Sequence, residues 1–285
     1  MRNRRDNGPS RFQRNRTAPD RRGDADAPPR DYPQPRGDSN RYPAARTDLV
    51  FGVEPVRELA LAAPEIIRTL YIRGGEERRF DEEISRVKAA GGNVASADEA
   101  ELTRNCGRDA RHQGVAASVR EYQYADLDAM LEDQPDPILL IDGVTDPRNL
   151  GALLRSAEGA GVGNVVIAKD RTVGLTPAAI KSSAGAWIHL KIARCGNVAR
   201  ALENLKEAGY WIAALAPGGN VSIYELDTSR KLAIVIGSEG KGVREIVKKT
   251  ADFIVDIPMR GKVASLNVSV ATAVALFEIA RRRGV

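Results

Sequence analysis

The chain has 285 residues, 42% of them hydrophobic and 28% charged, with a formal net charge of +5. That is enough material for one large or two modest domains with a proper core, and it excludes a peptide or a fibrous protein. The charge is unevenly placed: residues 1–46 hold 12 Arg, no Lys and 6 Asp, a surplus of +6, which leaves the remainder at a net −1. Any nucleic-acid surface on that remainder must therefore be a local patch.

Residues 1–46 combine Arg, Asp, Pro, Gly and Asn with almost no aliphatic side chains, so a disordered tail is expected there. It reads either as an electrostatic arm for a polyanion or as a solubilising extension. Its arginine-rich start is not followed by an apolar signal core, and no stretch approaches the roughly 20 apolar residues of a membrane helix, so a soluble, cytoplasmic protein is expected. From Leu49 the pattern turns globular, with a turn and a helix in VFGVEPVRELALAA and a strand at Thr69 to Ile72. A helix over ERRFDEEISRVKAA stops at Gly91 and Gly92, an extended NVASA follows, and GVAASV forms a short apolar strand. This small α/β unit spans 48–125. Residues 126–136, ending between Pro135 and Pro137, read as a linker.

From Pro137 the alternation is cleaner. Strands are predicted at ILLIDGV, NVVIA, AWIHLKIA, YWIAALA, LAIVIG and FIVDIP, with helices between them and a last helix over SLNVSVATAVALFEIARRR. Short apolar strands alternating with helices imply a parallel sheet buried on both faces, so 137–285 is expected to be an α/β domain. The last helix is apolar on nearly every face, which calls for a further cover; a homodimer interface is the favoured one over an internal packing site. Cys106 and Cys195 fit no metal-ligand or C-x-x-C spacing, so no disulfide framework and no metal site are expected.

Three polar, glycine-containing loops follow strands of this domain, at the strand ends where parallel sheets bind ligands. The first contains Asp146, Pro147, Asn149 and Gly151 and leads to Arg155. Asp146, Pro147 and Asn149 fit an N-capped helix, whereas Arg155 among apolar neighbours would be costly to bury without a partner, for which a phosphate suits. The second, GSEGKGV at 237–243, offers backbone N–H groups but matches neither a Walker loop nor a dinucleotide fingerprint. The third, IPMRGKVASLNVSVA, carries Ser265, Asn267 and Ser269, with Ser265 a candidate helix cap. Glycines 159, 161 and 163 follow a helix and read as a helix stop, which disfavours a nicotinamide enzyme.

These residues carry a resemblance. D-P-x-N-x-G-x-x-x-R at Asp146 to Arg155, G-x-E-G-x-G at Gly237 to Gly242 and I-P-M-x-G-x-x-x-S-L-N-V-S at Ile257 to Ser269 resemble, in order and spacing, the three signatures of the SpoU or TrmH-type RNA 2'-O-ribose methyltransferases. FGVEPVRELA and HQGVAA in the smaller unit resemble the RNA substrate-binding domain of the RlmB branch, which modifies a guanosine of large-subunit (23S) ribosomal RNA. The resemblance implies the SPOUT architecture, a parallel sheet with a C-terminal trefoil knot that dimerises near the cofactor. It implies S-adenosylmethionine as cofactor, contacted by Gly237, Ile257 and Leu266. Arg155 would be central to catalysis by holding a substrate phosphate near the 2'-hydroxyl, with Asn149, Glu239, Ser265 and Asn267 orienting RNA and supporting the site. Glu239 has a second reading, as a brace for backbone N–H groups of its own loop.

Arg57, Arg111, His112 and Gln113 are candidate RNA contacts on the small unit, equally readable as surface or, for His112, as a structural hydrogen bonder. Two rivals stand beside this reading: a tRNA or other rRNA methyltransferase of the same family, and a non-catalytic RNA-binding or assembly factor.

Overall fold

The computed structural model describes residues 48–284, and the segment 1–46 read as a disordered tail lies outside them. The first part is built from β1 (Leu49–Phe51), α1 (Val53–Ala62), β2 (Ile67–Arg73), α2 (Asp81–Ala89), β3 (Asn93–Ala97), α3 (Glu99–Cys106) and β4 (Val115–Val119). Its sheet has the order β1-β4-β2-β3, with β4 antiparallel to both neighbours and β3 parallel to β2. β4, sequence VAASV, is buried at every position, and its small side chains let helices approach the sheet centre. The predicted strand at Thr69 to Ile72 lies within β2.

The residues read as a linker contain α4 (Leu127–Glu132), capped by the Asp126 carboxylate, which accepts from Ala129 N. Met130 of α4 is fully buried, and Ala125 N donates to Ile192 O, so this segment is packed against the following domain. Apolar residues at 127, 130 and 131 have the helical spacing that the nearby prolines obscured.

The second part comprises β5 (Ile138–Ile141), α5 (Pro147–Gly159), β6 (Asn164–Ala168), α6 (Pro177–Ser182), β7 (Lys191–Cys195), α7 (Val198–Glu207), β8 (Trp211–Leu215), β9 (Val221–Ser222), β10 (Leu232–Ile236), α8 (Glu245–Thr250), β11 (Phe253–Asp256) and α9 (Val268–Arg283). Its seven strands run parallel in the order β7-β6-β5-β10-β8-β11-β9. Side chains alternate between two cores: Leu139, Ile141, Ile234 and Ile236 face α5 and α9, whereas Ile138, Leu140, Ala233 and Val235 face α4, α7 and α8. Burial on both faces is why these strands read as unbroken apolar runs.

Three boundaries differ from the sequence reading. AWIHLKIA is a strand only from Lys191, because Gly185 at φ +81° turns the chain into a 3-10 turn over Ala186–His189 that seats Trp187 edge-on to Tyr122. β9 has two residues and no readable alternation. The last helix begins at Val268, with Asn267 and not Ser265 as its cap, since the Asn267 carboxamide oxygen accepts from Ser269 N and Val270 N. That helix buries Thr272, Ala275, Leu276 and Ile279 and leaves Val270 and Phe277 about half exposed.

The last turn of α9 is clasped to the segment between β9 and β10. Arg282 Nη1 donates to the carbonyls of Tyr224 and Leu226, while Arg283 donates to the carbonyls of Thr228 and Arg230 and to Asp136. Charged hydrogen bonds of this kind each contribute about 1.5–3 kcal/mol. Arg283→Ala is expected to lower the unfolding free energy by about 2–4 kcal/mol in urea titration. Arg86→Ala, which removes an exposed pair with Glu82 on α2, should change it by less than about 0.5 kcal/mol.

Candidate functional site

All strands of the larger sheet being parallel, the loops leaving β5, β10 and β11 emerge on one edge. β10 lies between β5 and β8, so the first two loops start side by side. The strand order reverses at this point, since β6 and β7 lie to one side of β5 and the later strands to the other; such a crevice is where α/β sheets take ligands.

The first loop ends in α5, capped by the Asp146 carboxylate accepting from Arg148 N, with Pro147 in the first turn. Gly151 is required by packing: a Cβ there would lie 2.1 Å from Ser182 Oγ and 2.6 Å from the Ala179 carbonyl oxygen of α6. The second loop folds back on itself. Ser238 N donates to Gly242 O at 3.0 Å and Gly242 N to Ser238 O at 2.8 Å, with Gly240 and Gly242 at positive φ. A Cβ on Gly237 would sit 2.2 Å from Gly242 C and O, so only glycine admits this close turn. The third loop, 258–267, is exposed throughout.

Between the second and third loops lies an open pocket of about 600 Å³. Its walls combine apolar Leu215, Ile236, Ile257 and Leu266 with the backbone of 237–242 and the side chains of Glu239, Ser265 and Asn267. This mixture of apolar wall and a few polar groups, at this size, suits a nucleoside-sized ligand. Among the described residues no cluster of three His, Cys, Asp or Glu could hold a metal ion.

The three loops are joined by one amide. Asn149 Nδ2 donates to Glu239 Oε1, and Asn149 Oδ1 accepts from Asn267 Nδ2 at 3.3 Å. Asn267 thus caps α9 with its oxygen and reaches α5 with its nitrogen. The Glu239 carboxylate is spent on Asn149; the loop is braced by the Ser238–Gly242 backbone pair instead.

Arg155 stands apart. It is exposed, contrary to the expectation of a costly buried position, because the buried face of α5 is formed by Leu150, Gly151, Leu153, Leu154 and Ala157. Among the described residues it makes no hydrogen bond or ion pair. It lies seven residues from exposed Arg148, hence on the same helix face and about two turns away.

On the small unit, His112 is 5% exposed; its Nδ1 accepts from Gly114 N, and its Nε2 meets Thr103 Oγ1 at 3.3 Å. Gln113 Oε1 accepts from Val53 N at the start of α1. Both therefore serve the fold. Arg57 pairs with Glu83, and Arg111 is exposed. Sequence reasoning missed Leu215, Met259 and Thr272 in the pocket lining; the Leu215 loop was legible as a further strand end, but the depth reached by α9 was not.

Comparison with known proteins follows the same division. Residues 136–277 match the model of the SpoU rRNA methylase family, and residues 49–125 match that of the RNA 2'-O ribose methyltransferase substrate-binding domain. The chain is 39% identical over 243 residues to the 23S rRNA (guanosine-2'-O-)-methyltransferase RlmB of Shewanella oneidensis, covering 84% of this chain and 98% of that one. The chain belongs to the SpoU family. Solved structures similar to this chain include an AdoMet-bound rRNA methyltransferase from Sinorhizobium meliloti (TM-score 0.71, 25% identity, 84% of this chain and 88% of that one). Another is the SpoU methyltransferase AviRb from Streptomyces viridochromogenes in complex with AdoMet (TM-score 0.68, 25% identity, 82% and 90%). The α/β architecture with its parallel sheet is that of SpoU methyltransferases.

The double role of Asn267 is separable. Asn267→Ala is expected to lower stability by about 1 kcal/mol through loss of the cap. Asn267→Asp, which keeps the cap and cannot donate to Asn149, should stay within about 0.5 kcal/mol of wild type in urea unfolding.

Proposed function

We propose that this SpoU-family chain is an S-adenosylmethionine-dependent RNA methyltransferase that modifies the ribose 2'-oxygen of a guanosine in large-subunit (23S) ribosomal RNA. The observation that carries this is the junction of Asn149, Glu239 and Asn267 at the mouth of an apolar-walled pocket. The RlmB relative of nearly equal extent supports the guanosine and the rRNA.

S-adenosylmethionine, when bound, supplies an electrophilic methyl group on a sulfonium sulfur. Gly237, Ile257 and Leu266 would hold it, through backbone groups and apolar contact. The work left to the protein is to align the 2'-hydroxyl for in-line displacement and to ease departure of its proton. Arg155, exposed and without a hydrogen bond or ion pair among the described residues, is available to hold an RNA phosphate beside that hydroxyl, so that the phosphate or the guanidinium assists deprotonation. Asn149, Glu239, Ser265 and Asn267 orient the RNA and keep the loops in register. Residues 48–125 select the RNA, 126–136 connect, and 137–285 carry the reaction.

The same reading includes a trefoil knot in the C-terminal part, supported by the insertion of β10 between β5 and β8 and by the clasp of α9 on residues 224–230. It includes a homodimer, supported by the exposed Val270 and Phe277 on α9, and a cytoplasmic location, where ribosomal RNA is modified.

The deciding experiment is transfer of labelled methyl from S-adenosylmethionine to unmodified 23S rRNA and, in parallel, tRNA, with the labelled nucleotide mapped. Label on an rRNA guanosine 2'-oxygen is expected. Arg155→Ala should lower kcat by about 100-fold or more with little change in cofactor affinity. Label on tRNA alone would overturn the substrate, and no label despite cofactor binding would favour a binding role. Light scattering should give twice the chain mass, and Phe277→Glu should shift it toward one; a wild-type particle of one chain mass would overturn the dimer.

A further inference from the structure

A buried carboxylate outside the catalytic set lies where the first two loops leave the sheet. Asp142 directly follows β5 and is 2% exposed. Its Oδ2 accepts a hydrogen bond from Nε of Arg244, the residue that opens α8 immediately after the 237–243 loop. Its Oδ1 has no hydrogen-bond partner among the described residues, and Nε of Arg171, in the loop after β6, stands 3.9 Å away.

Backbone ties gather at the same point. Asp142 N donates to Ile236 O at 2.9 Å, and Gly143 N donates to Thr172 Oγ1 at 3.0 Å. A Cβ on Gly143 would come within 2.8 Å of Ser238 Cβ, so the two loops touch beside Asp142. The charge is felt locally: burial first, and then the negative Asp142, push the Cys195 thiol up to about 11.

Taking a carboxylate out of water to pair it with a guanidinium that stays about a third exposed is a poor way to gain stability, since an apolar pair of similar volume serves as well or better. What such a pair provides is a fixed geometry between the elements that carry it. Here those elements are the strand end leading to Asn149 and the loop bearing Gly237 and Glu239, residues 102 positions apart at the joint. We propose that Asp142, acting through Arg244, is a positioning residue for methyl transfer that sets the register of the 237–243 loop against the first turn of α5. It deepens the methyl-transfer reading and rests on it.

The test uses the full chain with Asp142→Asn and, in case that variant does not fold, Arg244→Lys, which keeps the charge but loses the Nε geometry. Two quantities are read below the unfolding transition: amide hydrogen exchange at Ser238 and Gly242, and kcat with unmodified 23S rRNA. Exchange at both amides is expected to rise, and kcat to fall, each by about tenfold or more. The neutral pair Asp142→Asn/Arg244→Gln, which keeps a hydrogen bond and removes the guanidinium charge that Asp142→Asn alone leaves uncompensated, should recover both to within about threefold of wild type. A purely structural role would lower the unfolding midpoint while leaving loop exchange and kcat unmoved. Either quantity remaining within about twofold of wild type in the folded variant overturns the proposal. If wild-type protein transfers no methyl group to RNA, the reaction assignment fails separately, and exchange at Ser238 and Gly242 alone decides the role of Asp142.

Discussion

The position of β10 governs the larger domain. It is buried at all five positions and hydrogen-bonded on both edges, to β5 on one side and β8 on the other, although both partners precede it in the chain. Without β10, the loop after β5 would lie beside the loop after β8. Inserting β10 between them sets the Asp142 turn against the Ser238 turn, and β11 beyond β8 delivers the third loop to the same edge. The pocket is a consequence of strand order before it is a consequence of any side chain.

Side chains then refine a meeting that the backbone has arranged. Three glycines work by absence of a Cβ: Gly151 lets α6 lie against α5, Gly143 lets the first loop touch the second, and Gly237 lets the second loop close on itself. Asn149 suits its place because a carboxamide both donates and accepts, and it faces an acceptor on Glu239 and a donor on Asn267. Aspartate at 149 could not donate to Glu239, and an added methylene would crowd both contacts.

Much of this was legible in the sequence. Apolar strands of four or five residues announced a two-sided core, and the division of their alternate residues between two clusters shows why no polar face interrupts them. Asp146 and Pro147 declared the start of α5, and Gly161, at φ +76°, declared its stop. What escaped were facts set by distant contacts. The insertion of β10, the docking of α4 through Met130, and the seating of Trp187 against Tyr122 depend on residues far away in sequence. Arg155 shows a subtler limit: it directly follows the buried Leu153 and Leu154 in sequence, but its own side chain falls off the buried face of α5, and only the helix phase tells them apart. His112 shows the converse, a polar residue in a motif that proves to be a buried bracket for the turn after α3.

The single amide at the meeting of the three loops has a thermodynamic consequence. Asn149 belongs to α5, while Glu239 and Asn267 belong to the pocket wall, so a ligand that orders the wall also orders the first turn of α5. Linkage makes the effect reciprocal: whatever binds along α5 and steadies Asn149 must raise affinity in the pocket by the same factor. Two binding events on opposite sides of one carboxamide are therefore coupled without any large movement of the chain, and the coupling resides in two hydrogen bonds.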